Sequence, residues 1–329
     1  MQTKSLPDNF YNKGHLRLIV FTLLCFLAFT YNLSEVPPYH ADENFYVTST
    51  RNMIETSDYI TPMYHGKKRF AKPILFYWLV AISYKTFGVN LFSARLVSSL
   101  FGAFCIPITY MIARRLFDQK TAIISAILLP SCYLHFQIAR WATTDMPLNF
   151  FILSTFYFFI RGFQEKSNKD TSYYLMYICM GIGFMIKGPP GIIIPTFVIA
   201  CYILALKNWE ELPQLRLAYG VAIIAVIILP WFVTMLALHG DEFKNHILGA
   251  ELRDRIVHDT PFSLYYLGVI IRYYIPWSFF FIAALAKQFE LTSSSPQPIP
   301  LKENIFLSLS KKMQVWRSNI TKKNNQAFL

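Results

Sequence analysis

Charged side chains are scarce in this chain of 329 residues and make up only 15% of it. An ordinary soluble protein carries roughly 25%. Apolar residues make up 54% and aromatic residues 17%. The charges are therefore too few to coat the apolar surface, and lipid must cover much of it. The composition excludes a set of soluble domains, which the length alone would allow, and predicts a polytopic membrane protein.

Cysteine is also rare, and its placement excludes two kinds of site. The five cysteines stand singly inside apolar runs, without the paired spacing of a disulfide framework or of a cysteine-rich zinc site. They are Cys25, Cys105, Cys132, Cys179 and Cys201. The sequence therefore predicts neither disulfides nor a cysteine-ligated metal.

The net charge of +12 is distributed as small basic clusters beside apolar runs. Such clusters are typical of the cytoplasmic face of a membrane protein. A nucleic-acid-binding protein would show a basic stripe on a soluble fold, and no such stripe is visible. We therefore expect membrane lipids, and no nucleic acid, among the partners of the chain.

Nine apolar runs follow one another without the alternation of an outer-membrane barrel, so we expect an all-α bundle. Several of them suit the helix of about 20 residues that crosses a bilayer core. The runs are 16–33, 73–88, 91–113, 121–138, 146–162, 171–187, 190–206, 215–238 and 263–286. We expect eight or ten full crossings of the membrane in total.

The runs divide the chain into three regions. We expect a cytoplasmic N-terminus at 1–15, a transmembrane domain at 16–287 with an extracytoplasmic polar loop at 34–72, and a basic cytoplasmic tail at 288–329. Apolar residues recur at helical spacing in the tail, which suits an amphipathic helix on the inner leaflet. A frayed tail explains the same residues equally well.

The basic clusters give two conflicting counts for Arg114 and Arg115. Counting back from the lysines in the loops 163–170 and 207–214 places this pair inside, as the charge rule requires. Counting forward from an inside N-terminus through three spans places it outside. One segment between 73 and 145 is therefore a half-span or conceals an extra span, and the short run 73–88 is the first suspect.

Two adjacent carboxylates, Asp42 and Glu43, follow the first span. At the membrane surface one can act as a general base on an acceptor hydroxyl while its neighbour orients it or helps to hold a cation. Asp42 and Tyr46 share a helical face, whereas Glu43 points about 100° away. Acidic residues also favour the first turn of any helix, so a purely structural role stays open.

Lys72 stands before Pro73 at the start of an apolar run. A lysine at this position can hold a phosphate as a compact point charge. It can equally extend along the helix towards lipid headgroups.

Three further clusters lie on the same side of the membrane by the topology above. They contain Arg140 and Asp145, then Lys187, and then Glu251 with Arg253 and Arg255. Together with the first two clusters they supply carboxylates and cations around a lipid-facing cavity. Transfer from a phosphate-linked lipid donor needs a base for the acceptor and cations for the departing phosphate.

The order of these motifs resembles a known family. The motifs are Asp42-Glu43, Lys72-Pro73, Arg114-Arg115, Arg140 to Asp145, Lys187-Gly188-Pro189 and the loop with Glu251 and Pro261. Over about residues 10–287 they are similar to the ArnT-like/protein O-mannosyltransferase family of the C-type glycosyltransferase superfamily. The resemblance implies a C-type glycosyltransferase-like helical bundle that uses polyprenyl-phosphate sugars on the periplasmic or lumenal face.

The resemblance also implies roles for individual residues. Asp42 corresponds to the catalytic carboxylate and Glu43 to its partner, while Lys72 corresponds to the lysine that engages the donor phosphate. We expect Arg140, Arg253 and Arg255 to contact that phosphate as well, and Tyr46, Asp145, Lys187 and Glu251 to line the cavity. The implied reaction is inverting and needs one base.

Two positions depart from the pattern of the aminoarabinose transferases, which commonly carry Glu before the lysine and His after the loop glutamate. Here these positions hold Ala71 and Leu252. They resemble a metal pair, so the resemblance implies no complete divalent-metal site unless His40, His246 or His258 substitutes. The cofactor stays open.

The function expected from the sequence is an inverting glycosyltransferase of the bacterial inner membrane, with its active site facing the periplasm. The donor is a polyprenyl-phosphate-linked sugar and the acceptor is a lipid A-like lipid, a glycan or a protein. The alternatives are a truncated, non-catalytic relative that binds lipid-linked sugar and a transporter of such lipids. A transporter would carry ionisable residues inside its spans, whereas here they crowd one end.

Overall fold

The computed structural model of the protein describes residues 8–35, 37, 41–165, 167–247, 249 and 265–293. This part of the chain is mostly helical, and its sheet is a single two-stranded hairpin, so the predicted all-α bundle is confirmed. The helices are α1 (Asp8–Thr30), α2 (Ala41–Thr56), α3 (Leu75–Phe87), α4 (Leu91–Leu116), α5 (Gln119–Ser131), α6 (Tyr133–Ile138), α7 (Asp145–Gln164), α8 (Lys169–Lys187), α9 (Pro190–Leu206), α10 (Glu211–Gln214), α11 (Leu217–His246), α12 (Tyr265–Tyr273) and α13 (Ser278–Ser293). The strands are β1 (Met63–Tyr64) and β2 (Lys67–Lys68).

Local sequence signals explain where several helices begin and end. The side chain of Asn90 accepts a hydrogen bond from the backbone N–H of Ser93 at 2.9 Å and caps α4. Asp118 caps α5 in the same way through Thr121 at 2.7 Å. Side-chain oxygens at this position satisfy backbone donors that the first turn leaves unpaired. The caps therefore fix the turns that precede α4 and α5.

The turn between α8 and α9 is built from glycine and proline. Gly188 has a φ of 91°, in the left-handed region that favours glycine, and Pro190 occupies the first turn of α9. At Gly191 a Cβ atom would lie 2.3 Å from the backbone of Gly183, so the two helices touch through glycines. Close contact of this kind is common between membrane helices.

Three of the described helical stretches are long and apolar enough to cross a membrane, namely Leu91–Leu116, Asp145–Gln164 and Glu211–His246. Shorter apolar helices are Gly14–Thr30, Pro190–Leu206 and Ser278–Lys287. Large apolar side chains on α9 and α11, such as Phe197 and Val226, point outward. The chain is a polytopic membrane protein whose outer surface suits lipid, and the predicted count of eight or ten full crossings stays a prediction.

The bundle has two distinct polar ends. At the first, which we call the α2 end, Nη1 of Arg95 at the start of α4 donates to the carbonyl of Leu33 after α1 at 2.6 Å. At the second, the α10 end, Arg115 of α4 pairs with Glu165 after α7 at 2.7 Å. Lys169 of α8 pairs there with Glu211 of α10 at 2.7 Å. Both ends are therefore held by ion pairs or charged hydrogen bonds between helices.

The short helix α3 explains the conflict over Arg114 and Arg115. The end of α1 meets the start of α4 at the α2 end, so the described residues between them begin and end on that side of the bundle. The 13 residues of α3 span only about 20 Å at 1.5 Å per residue. The chain first crosses back along α4, which places Arg114 and Arg115 at the α10 end with the other basic clusters.

The described residues of the predicted polar loop 34–72 are structured. The loop contains α2 and the hairpin, and its segment after α2 is tied to neighbouring helices by side-chain donors. Nε1 of Trp231 donates to the carbonyl of Ile60 at 3.1 Å, and Nε1 of Trp78 donates to the carbonyl of Tyr59 at 2.6 Å. The tail from 294 onward, with its predicted amphipathic helix, lies outside the described residues.

The two ends are expected to react from opposite sides of the membrane. We predict that His65→Cys, in the hairpin, and Lys120→Cys, at the start of α5, label from opposite sides in a variant whose five native cysteines are replaced. The measurement is modification by a membrane-impermeant maleimide before and after permeabilisation of cells. Labelling of both cysteines from one side would contradict the two-ended bundle.

Candidate active site

The first turn of α2 carries Asp42 and Glu43 on different faces. Acidic residues are favourable there because the N-terminus of a helix carries partial positive charge. Asp42 is exposed, whereas the side chain of Glu43 is fully buried. The difference follows from the rotation of about 100° between successive helical residues. The two neighbouring carboxylates therefore occupy different environments.

Glu43 lies in a buried hydrogen-bond network with Arg95. Its Oε1 accepts from Nε of Arg95 at 2.6 Å, and its Oε2 accepts from Nη2 at 2.8 Å. Oε1 also accepts from the backbone N–H of Ala142 at 2.9 Å. Arg95 is 1% exposed. This network joins α2, α4 and the loop 139–144, and the neighbouring Leu33 carbonyl extends it to the end of α1.

Sequence reasoning did not identify Arg95. Its signal was an arginine within the apolar run 91–113, where an isolated charge is costly unless it is paired. The bidentate pair with Glu43 supplies that partner, since the guanidinium fork matches the two carboxylate oxygens. The geometry of Glu43 is accordingly that of a positioning residue that orients the start of α2, rather than of a group that meets substrate.

Tyr46 connects α2 to the loop before α7. Its ring packs against Phe76 and Tyr77, with centroid distances of 5.0 and 5.3 Å. Burial raises the pKa of the Tyr46 phenol, and the neighbouring Tyr77 raises it further, while a hydrogen bond with the side chain of Thr144 opposes the shift. The phenol therefore stays protonated and holds the Asp42 face of α2 close to the start of α7.

Asp145 and Lys187 form an ion pair at the same end of the bundle. Asp145 is in the first turn of α7 and Lys187 is the last residue of α8, and Nζ of Lys187 donates to Oδ1 of Asp145. Both side chains are partly exposed. The predicted cavity residues Tyr46, Asp145 and Lys187 are thus brought together at the α2 end.

Lys72 and Lys187 line one cavity of about 530 Å³. Its remaining walls are largely apolar and come from the segment before α3, the turn between α8 and α9, and α11. They include Phe70, Ala71, Pro73, Phe184, Gly188, Pro189, Pro190, Ile193, Ile194, Trp231, Phe232 and Ile247. The cavity thus combines two cations with apolar walls, which suits a ligand with an anionic head and a hydrocarbon chain.

Arg140 is used elsewhere in the structure. Its Nη1 donates to the carbonyls of Ala28, Phe29 and Tyr31 at 3.3, 3.0 and 2.7 Å. These carbonyls belong to the end of α1, where the last turn of a helix leaves acceptors unpaired. Arg140 therefore caps α1. The expected contact of Arg140 with the donor phosphate stays a prediction.

The loop after α11 lies outside the described residues. The predicted cavity residue Glu251 and the predicted phosphate ligands Arg253 and Arg255 belong to it, so their roles stay predictions. Leu252, His40 and His258 are likewise outside the described residues.

The described residues do not fit a divalent metal. No group of three or more His, Cys, Asp or Glu side chains lies together in this part of the chain. Ala71 lines the cavity beside Lys72 but has no metal-binding atom in its side chain. His246 lies near it but lines a separate, neighbouring pocket.

Comparison with known proteins agrees with this fold. Residues 71–233 match the family model described as dolichyl-phosphate-mannose-protein mannosyltransferase. An uncharacterized protein of Aquifex aeolicus is 31% identical over 261 residues, which cover 79% of this chain and 52% of the relative. The undecaprenyl phosphate-alpha-4-amino-4-deoxy-L-arabinose arabinosyl transferase 2 of Pseudomonas fluorescens is 28% identical over 249 residues, which cover 72% and 44%.

The fold is also similar to that of a solved structure. The crystal structure of ArnT from Cupriavidus metallidurans bound to undecaprenyl phosphate superposes with a TM-score of 0.74 at 24% identity, covering 89% of this chain and 54% of that one. The chain thus has the polytopic ArnT fold. The predicted resemblance to the ArnT-like family of polyprenyl-phosphate-sugar glycosyltransferases is confirmed. The chain spans about half the length of the curated relatives it matches.

The buried pair of Glu43 and Arg95 is expected to dominate the stability of the α2 end. Glu43→Ala leaves the Arg95 guanidinium buried without its carboxylate, and breaking a buried pair in this way costs about 3–5 kcal/mol. We predict a large fall in the thermal unfolding midpoint of the purified protein in detergent. The control is Asp42→Asn, one residue away and exposed, which should leave the midpoint nearly unchanged.

The double variant Glu43→Leu with Arg95→Met distinguishes the cost of an unpaired buried charge from the cost of lost packing. Removing both partners eliminates the unpaired charge, so this variant should regain much of the stability lost in Glu43→Ala. Equal midpoints for Glu43→Ala and the wild type would contradict the structural role of the pair.

Proposed function

We propose that this chain is an inverting glycosyltransferase that moves a sugar from a polyprenyl-phosphate donor to an acceptor at the α2 end of the bundle. The observation that carries the proposal is one cavity with apolar walls and two lysines, Lys72 and Lys187. The exposed carboxylate Asp42 lies on α2 at the same end of the bundle. The crystallised ArnT contains undecaprenyl phosphate, and several relatives are arabinosyl transferases that use undecaprenyl phosphate-linked aminoarabinose.

Different walls of the cavity suit the lipid chain and the phosphate of the donor. Its apolar walls, such as Phe184 and Phe232, suit the first isoprene units of the lipid, because burial of hydrocarbon is favourable. The phosphate lies against Lys72, which stands in the segment before α3 at the wall of the cavity. Lys187 adds a second cation, partly neutralised by its pair with Asp145.

The reaction is a single displacement at the anomeric carbon. Asp42 accepts the proton of the acceptor group, whose oxygen or nitrogen attacks that carbon from the face opposite the phosphate. The bond between the anomeric carbon and the phosphate oxygen breaks, and both its electrons leave with polyprenyl phosphate. Lys72 stabilises the negative charge that develops on this leaving group. One displacement inverts the configuration, so no covalent enzyme intermediate is needed.

Glu43 takes part indirectly in this proposal. Because its carboxylate is held by Arg95 and the Ala142 backbone, it fixes the first turn of α2 and thereby the direction of Asp42. Asp145 holds Lys187 at the cavity wall. Precise placement of a base and a cation is worth more than either group alone, since the reacting atoms must meet in a near-attack geometry.

We infer that the α2 end faces the periplasm and that the chain resides in the inner membrane. The α10 end carries the basic residues that adjoin apolar helices, including Arg114, Arg115, Lys169, Lys207 and Arg216. Cytoplasmic borders of membrane proteins are enriched in lysine and arginine. Acceptors available at a periplasmic face include lipid A-like lipids, glycans and proteins.

A transport function is less well supported. A path for a polar lipid head through the bilayer requires ionisable groups along the interior of the spans. The inter-helix ion pairs found among the described residues lie at the two ends, as with Arg95–Glu43 and Arg115–Glu165. This distribution favours chemistry at one face.

Asp42→Asn is expected to abolish sugar transfer. The amide has nearly the shape of the carboxylate but cannot accept the proton, and loss of a general base lowers rates by about 10²–10⁴-fold. The measurement is transfer of labelled sugar from polyprenyl-phosphate donor by the full chain in proteoliposomes, with donor binding measured in parallel. Wild-type turnover by Asp42→Asn, with donor binding intact, would disprove the assignment of the base.

Lys72→Met is expected to weaken donor binding rather than folding. Loss of one charge-assisted contact to the phosphate should raise the donor KM by about tenfold or more. The matched control is Lys85→Met in the last turn of α3, whose ammonium lies over the ring of Tyr59 and not in the cavity. Equal effects of the two substitutions on the donor KM would contradict a specific role of Lys72.

A further inference from the structure

A second pocket lies beside the donor cavity, and the proposed reaction assigns it no ligand. It has a volume of about 360 Å³ and is formed by the hairpin, the residues that follow it and the end of α11. We call it the hairpin pocket. The described residues that line it are Tyr64, His65, Lys67, Lys68, Arg69, Phe70, Ala71 and His246.

The segment 69–72 connects the hairpin pocket to the donor cavity. Arg69 lines the hairpin pocket and Lys72 lines the donor cavity, whereas the two residues between them line both. Three residues span at most about 11 Å even when the chain is fully extended. One of the two shared wall residues is Ala71, whose side chain is a single methyl group. A phosphate held at Lys72 therefore leaves the group attached to it within reach of the hairpin pocket.

The hairpin directs two basic side chains to one face. His65 and Gly66 have φ values of 47° and 75°, the left-handed pair that a two-residue hairpin turn requires. The backbone N–H of Arg69 donates to the carbonyl of Pro62 at 2.8 Å, which extends the strand pairing beyond β2 by one residue. Because side chains alternate along a strand, Lys67 and Arg69 lie on the same face of the hairpin.

The described lining of the hairpin pocket carries positive charge and contains no acidic residue. Nζ of Lys68 donates to Oε2 of Glu242, which lies outside the lining, at 2.6 Å, and this pair neutralises one charge. No carboxylate of the described residues pairs with Lys67 or Arg69. The pocket therefore attracts a carboxylate and repels an ammonium group, because charges interact strongly at a partly desolvated site.

Arg69 is held by aromatic neighbours. Its Cζ lies 3.8 Å from the ring centroid of Phe45, and its Nε donates to the hydroxyl of Tyr77 at 3.2 Å. These contacts fix the plane of the guanidinium and leave its two Nη atoms to the pocket. A guanidinium fork of this kind matches a carboxylate through two parallel hydrogen bonds. A preorganised fork loses little entropy when a ligand binds.

Arg69 adjoins the face of α2 that carries the proposed base. Asp42, Phe45 and Tyr46 share this face because they are three and four residues apart. The Cζ of Arg69 lies 6.0 Å from the ring centroid of Tyr46. Burial is the main cause that raises the pKa of the Tyr46 phenol, and of the charged groups near it Arg69 lowers this pKa whereas Asp42 raises it. A ligand that reaches Arg69 therefore lies beside the proposed reaction centre.

We propose that the hairpin pocket holds the sugar of the donor and that Arg69 and Lys67 select an acidic sugar, such as a hexuronate. This inference rests on the proposed function, since it names the sugar class of that donor. The carboxylate of the sugar pairs with Arg69 while the phosphate stays at Lys72. The sugar hydroxyls lie beside His65 and His246, whose ring nitrogens can donate to or accept from them.

The charge of the sugar distinguishes this chain from several of its relatives. Those relatives are arabinosyl transferases for 4-amino-4-deoxy-L-arabinose, and the amino group of that sugar is protonated at neutral pH. The positive charge of the hairpin pocket disfavours such a sugar. The two sugar classes therefore give opposite expectations for binding.

The test measures equilibrium binding of donor lipids to the full chain in nanodiscs of zwitterionic lipid, without acceptor. The probes are polyprenyl phosphate carrying a hexuronate, the neutral hexose of the same configuration or 4-amino-4-deoxyarabinose, with polyprenyl phosphate alone as the reference. Wild type should bind the hexuronate lipid about tenfold more tightly than the hexose lipid, or better. It should bind the amino-sugar lipid most weakly.

Arg69→Gln should remove the preference for the hexuronate and leave the affinity for polyprenyl phosphate unchanged. Arg69→Lys should retain part of the preference, since it keeps the charge without the fork. Because Arg69 also packs against aromatic rings, Lys67→Gln tests the same charge at an exposed position and should narrow the preference severalfold. The control is Lys120→Gln at the α10 end of the bundle, which should leave the preference intact.

Equal affinity of wild type for the hexuronate and hexose lipids, or tightest binding of the amino-sugar lipid, would overturn the proposal. So would an equal loss of affinity for all four lipids in Arg69→Gln and Lys67→Gln, because these residues would then act on the phosphate or on the fold. Failure of wild type to transfer sugar from any of the donors would contradict the proposed function, whereas the binding preference is decided separately.

Discussion

The bidentate contact between Glu43 and Arg95 is the interaction on which the α2 end depends. It is buried, it ties the first turn of α2 to the first turns of α4, and through Ala142 it reaches the loop before α7. Two charges removed from water are tolerated only when each satisfies the other. The two neighbouring carboxylates therefore differ in environment: Glu43 is buried in the pair that holds the start of α2, and Asp42 is exposed.

The remaining polar groups extend this arrangement from helix to helix. Tyr46 links α2 to Thr144, Lys187 of α8 reaches Asp145 of α7, and Arg140 closes the end of α1. Each contact pairs either the backbone groups that a helix end leaves unpaired or a charge. Either would be costly to leave unpaired near the membrane. The same contacts that stabilise the fold therefore assemble the proposed donor and acceptor sites at one border of the membrane.

The helices could be predicted from the sequence because apolar runs and their breaks are local signals. The run 190–206 coincides with α9. The break between α8 and α9 falls at the glycine and prolines that follow Lys187. The roles of Arg95 and Arg140 could not be predicted in this way, since each depends on a partner distant in sequence. Strands of two residues are too short for alternation to show, so only the His65-Gly66 pair signalled the hairpin. The sequence also could not show which predicted ligands share the donor cavity, because that cavity forms only where α8, α11 and the segment before α3 pack together.

The difference in burial between Asp42 and Glu43 constrains where each carboxylate can stand along the sequence of α2. The buried contact involves the chain before α2 as well as its first turn, because Arg95 also donates to the carbonyls of Leu33 and Pro37. An insertion within that turn would rotate both carboxylates by about 100° and turn the outer one towards protein. Exchanging their order would present a carboxylate one methylene shorter to the guanidinium. Neighbouring acids of equal charge are thus not equivalent here, and their sequence is as constrained as that of a core residue.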